Sequence, residues 1–252
     1  MNPGRAGTGG ATRLADEKVV NQHGETPATA QRGERRGIDY PRLYAHRFAG
    51  IDQAARQRVW DEIGTFIWRR MGSPARVLDP AGGRGEFLNA IGAQEKWLVD
   101  LVDFSERGVG PDVRVVIGDV FDVDLPAGHF DGVFVSNLLE HLPTQDAVAD
   151  LLERLRSCLS PGGVIAVMGP NFKYCAREYF DCADHVLALT EVSVTEHLVA
   201  AGFSVESVVA RFVPFSFRSR FPASARLTRL YLRVAPLWRL AGQQFLVTAR
   251  VA

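Results

Sequence analysis

Three places in the chain combine residue types and spacing that could do chemistry. The first is Asp79-Pro80-Ala81-Gly82-Gly83-Arg84-Gly85, where a carboxylate stands directly before a run with almost no side chain. Such a turn lets a ligand touch the backbone. Its acidic neighbour selects for positive charge, because Asp79 would repel the phosphate that bare N–H groups otherwise attract. The second is a series of polar residues that each follow a largely apolar stretch: Asp103 after Trp97 to Val102, Asp119 after Ile117-Gly118, and Asn137 after Val133-Phe134-Val135-Ser136. The third is Asp181-Cys182-Ala183-Asp184-His185, which with His141 offers groups able to take a proton near neutral pH.

These groups need a sheet to hold them. Val77-Leu78 reads as a buried strand, Pro80 and the glycines forbid regular structure, and Glu86 to Ile91 resumes with helical spacing. Trp97 to Ser105, Val113 to Val120, Phe130 to Ser136 and Val164 to Met168 read as further strands. Thr144 is placed to cap a helix through Leu159 with Ala147, Leu151, Leu155 and Leu159 on its buried face. Ser193 and Glu196 fit a capping box for a helix ending at Gly202, and Phe203 to Val209 fits a sixth strand. An earlier helix spans Asp52 to Met71. Strands alternating with helices in this order predict an α/β fold, a doubly wound and mostly parallel sheet.

The loop at Asp79 resembles the first motif of the class I S-adenosylmethionine-dependent methyltransferases: strand, Asp or Glu, x, Gly, x, Gly, x, Gly. The chain departs from it at Ala81, where the family usually has its first glycine. Asp103-Phe104-Ser105 is similar to the second motif, Gly118-Asp119 to the third strand exit, and Ser136-Asn137 running into Leu138-Leu139-Glu140-His141-Leu142 to the fourth. Leu159-Ser160-Pro161-Gly162-Gly163 is a further familiar feature. The resemblance implies a seven-stranded Rossmann-like methyltransferase fold whose antiparallel last strand is Gln244 to Arg250, with S-adenosylmethionine as cofactor. Its cofactor site would comprise Asp79, Pro80, Ala81, Gly82, Gly83 and Gly85, then Asp103 for the ribose hydroxyls with Phe104 against the adenosine. Gly118, Asp119 and Val120 would take the adenine, and Asn137 and Leu138 would face the cofactor. Alternation is expected to turn Asp100 into the sheet layer. Related enzymes often fold a segment such as Tyr44 to Phe48 over the cofactor.

The acceptor is expected to be a small molecule or glycosyl group methylated at oxygen, since the Asp/Asn-Pro-Pro-Tyr signature of adenine and glutamine N-methyltransferases is missing from the fourth motif. His185, Asp184, Asp181 and His141 are the catalytic candidates. His141 fits either the pocket wall or the core, and His185 either a base or a structural role. Tyr174, Tyr179 and Phe180 could wall the substrate. Asp181, Asp184 and His185 are weighed as metal ligands, but no metal is expected, because Asn137 and Asn171 stand in place of the carboxylates of metal-dependent catechol-type enzymes. The alternatives are a nicotinamide oxidoreductase, whose glycine spacing differs, and a non-catalytic adenosine-binding or membrane-surface module.

Composition sets the frame. With 252 residues, 46% hydrophobic, and 29 basic against 29 acidic side chains, the chain fits one domain with a tail and no general affinity for nucleic acid. Residues 1–37 have almost no apolar bulk and are expected to be flexible, with the domain covering 38–252. Three unpatterned cysteines and the absence of a long apolar run point to a reducing, cytoplasmic setting. An arginine-rich insertion at about 211–240 interleaves cations with aromatic and aliphatic residues; it could hold an anionic substrate, rest on a membrane or form a solvated helix. Oligomeric state is not legible.

Overall fold

The sheet is organised around its central strand, β1 (Arg76–Asp79), in a computed structural model that describes residues 1, 38–104, 108–215 and 224–252. The expected tail, apart from Met1, lies outside those residues. Successive β1 side chains supply opposite layers: Val77 joins the apolar cluster beneath the first long helix, and Leu78 joins the one on the other face. The other strands are β2 (Glu95–Asp100), β3 (Val113–Ile117), β4 (Phe130–Ser136), β5 (Leu159–Pro170), β6 (Phe203–Val209) and β7 (Gln244–Val251). Their order across the sheet is β3-β2-β1-β4-β5-β7-β6, parallel except that β7 runs antiparallel to both neighbours. The chain therefore moves outward through β2 and β3, then returns to place β4 on the other flank of β1. That reversal opens a crevice at the carboxyl ends of the strands.

Helices are set by their caps and apolar faces. The helix α1 (Tyr40–Arg47) is capped by Asp39, and α2 (Gln53–Arg70) by Asp52, whose carboxylate accepts from the Ala55 N–H at 2.9 Å. After the four-residue α3 (Glu86–Asn89), the long α4 (Gln145–Cys158) is capped by Thr144 and buries Val148, Leu151, Leu152, Leu155 and Cys158. Leu159 leaves that helix and opens β5 instead. The short α5 (Phe172–Cys175) precedes α6 (Glu191–Ala200), where Thr190 caps and Ser193 reciprocates, so the expected Ser193–Glu196 box sits one turn too late. The connections after β2 and β3 contain no helix among the described residues.

The arginine-rich segment forms α7 (Ala225–Arg233) and α8 (Ala235–Ala241), with residues 216–223 outside the described set. Leu232 buries toward the α2 layer and Arg229 pairs with Glu62 of α2. No helix among the described residues is long and apolar enough to cross a membrane.

Candidate active site

A cavity of about 450 Å³ occupies the crevice, and the tips of β1, β2, β3 and β4 border it with Asp79, Asp100, Asp119 and Asn137. Its floor is the glycine loop, where close approach dictates the sequence. A Cβ on Gly82 would stand 2.7 Å from Leu98 Cγ, and Gly83 and Gly85 hold φ of +54° and +72°. Ala81, in contrast, adopts ordinary backbone and is tolerated on the cavity wall. Asp79 is buried, with Oδ1 3.3 Å from the Ala81 N–H. Burial, reinforced by the nearby charges of Asp100 and Glu86 against that backbone bond, pushes its carboxyl up to about 8.

Asp100 is the carboxylate that sequence reasoning missed. One oxygen accepts the Gly83 N–H at 2.9 Å and the other the Val102 N–H at 2.9 Å, and the side chain faces the cavity. Burial raises its pKa, with the backbone donors pulling the other way. Alternation holds, since Asp100 shares the face of Leu98. That face has no covering layer at the strand tip, so the side chain meets the cavity rather than the interior. Asp103, the expected ribose ligand, lies three residues past the end of β2, is exposed and is not on the cavity wall. Phe104 is buried there, 6.2 Å from the ring of Tyr44. Gly118, Asp119 and Val120 line the same end, and Asp119 accepts the Phe121 N–H at 2.9 Å in a local turn. Tyr40, Tyr44, Arg47 and Phe48 bring α1 over the opening.

Past the tip of β4 the chemistry changes. Asn137 adopts φ +49°, a left-handed conformation uncommon for a side-chain-bearing residue, held by its N–H donating to the Met168 carbonyl at 2.9 Å. Pro80 and Leu138 complete this stretch of wall. The turn that follows carries Glu140 and His141, and His185 stands opposite with its ring centroid 4.9 Å from that of His141. His141 Nδ1 lies 2.9 Å from the Asp184 carbonyl, which makes Nδ1 the donating nitrogen of that bond. Burial, aided by the His141 charge, lowers His185 to about 4, and burial raises Glu140 to about 6.

The remaining candidates are placed otherwise. Asp184 is buried and clasped by Arg47; burial would raise its carboxyl, but the Arg47 bond and the charges of His141 and Arg47 outweigh this and hold it low. It is an anchor for α1 rather than a base. Asp181 is exposed and away from the cavity. Tyr179 belongs to the core, where its hydroxyl donates to the Leu187 carbonyl and accepts from the Leu189 N–H; Tyr174 and Phe180 are exposed, and none of the three lines the cavity. Asn171 is fully buried and bonded to Glu191 and Ala210. Glu140 joins the site without having been singled out, and Arg47 joins it with the segment expected to cover the cofactor. The signal for Glu140 was an acid directly after two leucines at a strand exit.

Comparison with known proteins gives a consistent result. A family model described as a methyltransferase domain matches residues 53–208. A protein described as a probable non-canonical nonribosomal peptide synthetase, CymA, of Salinispora arenicola (strain CNS-205) is 26% identical over 156 residues, which take up 57% of this chain and 2% of that protein's length. Two solved structures share the fold. A SAM-dependent methyltransferase from Archaeoglobus fulgidus has a TM-score of 0.56 at 22% identity, covering 84% of this chain and 100% of its own. Another from Mesorhizobium loti has 0.52 at 18%, covering 76% and 99%.

Proposed function

Since the chain belongs to the methyltransferase domain family and is an S-adenosylmethionine-dependent enzyme, we propose that it methylates a hydroxyl oxygen of a small-molecule or glycosyl acceptor bound beside His141 and His185. The observation that carries this reading is one cavity with acidic walls at its cofactor end and imidazoles at its other end. The residues fit the cofactor. Gly82 leaves a cradle that a Cβ would fill, Asp79 offers a buried carboxylate for an ammonium, and Asp100 offers acceptor oxygens for a pair of ribose hydroxyls. Asp119 and Val120 would hold the adenine, Phe104 would pack on the adenosine, and Asn137 with Leu138 would border the reacting end.

The cofactor supplies an electrophilic methyl group on a sulfonium. The chain must hold donor and acceptor in line and exclude water, and positioning of this kind contributes most of the acceleration. Tyr40, Tyr44 and Phe48 of the covering segment give an apolar roof suited to that task. Glu140, His141 and His185 stand at the acceptor end, where the hydroxyl's proton must leave. His185 alone is a poor base at neutral pH because burial holds it unprotonated with little affinity for a proton. The three free thiols suit the reducing cytoplasm, where we place the reaction.

Incubating the enzyme and methyl-labelled cofactor with a metabolite extract, followed by mass spectrometry and 13C NMR, identifies the acceptor. A label on a small-molecule oxygen is expected; a label confined to nitrogen, carbon or macromolecules contradicts the reading. A peripheral membrane contact is supported by α7 and α8, on which Leu227, Leu230 and Leu240 are exposed, as are Arg226, Arg233 and Arg239. Flotation with anionic vesicles should fall in an Arg226/Arg233/Arg239 triple alanine variant, and equal flotation removes that contact.

A further inference from the structure

We infer that Glu140, His141 and His185 form a binding site for one divalent transition-metal ion, of the zinc, cobalt or iron(II) kind, at the acceptor end of the cavity. Its catalytic meaning rests on the acceptor reading above; the ion site itself rests on geometry. The ligating atoms of the three residues all lie within 4.8 Å of one another. His141 Nε2 is 4.0 Å from Glu140 Oε1, too far for a hydrogen bond and a little wider than the roughly 3.4 Å between two ligands on a tetrahedral ion with bonds of about 2.1 Å.

Of the buried side-chain atoms without a hydrogen-bond partner among the described residues, two belong to this group, Glu140 Oε1 and His185 Nδ1, and Glu140 is only 1% exposed. A buried carboxylate oxygen and a buried imidazole nitrogen left without partners are costly unless something satisfies them. The neighbouring cation does not, because both oxygens of Asp184 engage Arg47. The same engagement leaves Asp184 outside the ligand set, although it too lies near His185.

The surroundings are those of a metal ligand shell. His141 is held through Nδ1 by the Asp184 carbonyl, the outer-shell contact that orients a ligating imidazole and presents Nε2. The Val186 and Leu187 N–H groups donate to the Glu140 carbonyl at 2.8 and 3.1 Å, so the segment bearing His185 is clipped to the turn bearing the other two ligands. Two imidazoles and one carboxylate suit zinc and its neighbours better than magnesium. Three protein ligands leave a position open toward the cavity, where an acceptor hydroxyl could bind and lose its proton to water more readily. The expectation of no metal looked for carboxylates at Asn137 and Asn171 and did not weigh this set.

The full chain, stripped with a chelator, should be titrated with Co2+ while its visible absorption is followed. One equivalent is expected to bind with ligand-field bands that Zn2+ abolishes, and uptake should weaken at least about tenfold in Glu140→Gln and in His141→Ala/His185→Ala. S-adenosylhomocysteine titration of the same samples reports separately on the cofactor end. Wild type that binds S-adenosylhomocysteine but takes up no Co2+, or variants that take it up equally, overturn the ion site and leave the cofactor reading standing. Cobalt uptake through these residues without S-adenosylhomocysteine binding upholds the ion site and removes that reading. Glu140→Gln keeps the side chain's shape and serves if the double variant fails to fold.

Discussion

The guanidinium of Arg47, on the first helix of the domain, clasps the buried carboxylate of Asp184 with both terminal nitrogens across 137 positions of sequence. The pair joins the roof of the cavity to the wall that carries His185. Removing one partner leaves an uncompensated charge in a place closed to water. Arg47→Ala is therefore expected to cost about 3–5 kcal/mol in urea unfolding, while Arg47→Met combined with Asp184→Leu should recover most of it. Additive losses in the double variant would show that the two side chains act independently.

The glycine loop makes a sharper test of close packing. Gly82→Ala would drive a methyl group into Leu98 and should destabilise the fold by about 1–3 kcal/mol and weaken S-adenosylhomocysteine binding. Ala81→Gly, which restores the usual family residue, should leave binding unchanged or tighter. Thermal melts and calorimetry on both variants check this, and equal behaviour would remove the steric argument.

Asp100 and Asp103 are separated by function as well as position. Asp100→Ala takes a carboxylate from the cavity and two acceptors from the backbone, so cofactor affinity should fall roughly ten- to hundredfold, the range for bonds to a charged group of about 1.5–3 kcal/mol. Asp103→Ala should change it by less than about twofold, since surface substitutions typically act within 0.5 kcal/mol. The reverse ranking in a calorimetric titration would return the ribose to Asp103.

Asp79 ties stability to pH. Its folded pKa, about 8, lies above the ordinary 3.8, so the folded chain holds this proton more tightly than the unfolded one. Stability should be greatest below the unfolded value and fall as pH rises toward 8, by up to about 1.4 kcal/mol per unit. Asp79→Asn should flatten that slope and be more stable than wild type at the alkaline end, while losing cofactor affinity. Denaturant melts across this range decide it; parallel slopes would mean that Asp79 does not titrate there.

Much of this was legible in the sequence because each parallel strand announces itself as an apolar run ended by one small or polar residue. Asp79, Asp119 and Asn137 were found that way and do border one cavity. Asp100 was missed because β2 was extended through Ser105, which made the true tip look like an interior position. The pairing of Arg47 with Asp184 and the place of Glu140 escaped for a different reason. Their roles depend on partners more than 40 positions away, such as the backbone of Val186 and the carboxylate of Asp184, and no local pattern encodes such a meeting. Tyr179 read as a substrate wall because aromatic residues serve pockets and cores equally, and only its hydroxyl bonds reveal which.

Isothermal titration of the wild-type chain with S-adenosylhomocysteine tests most directly whether the strand-tip cavity holds this cofactor. Saturable heat with one ligand per chain, its affinity weakened about ten- to hundredfold in Asp100→Ala, is the expected result. Absence of saturable heat at millimolar ligand with a folded protein would contradict it.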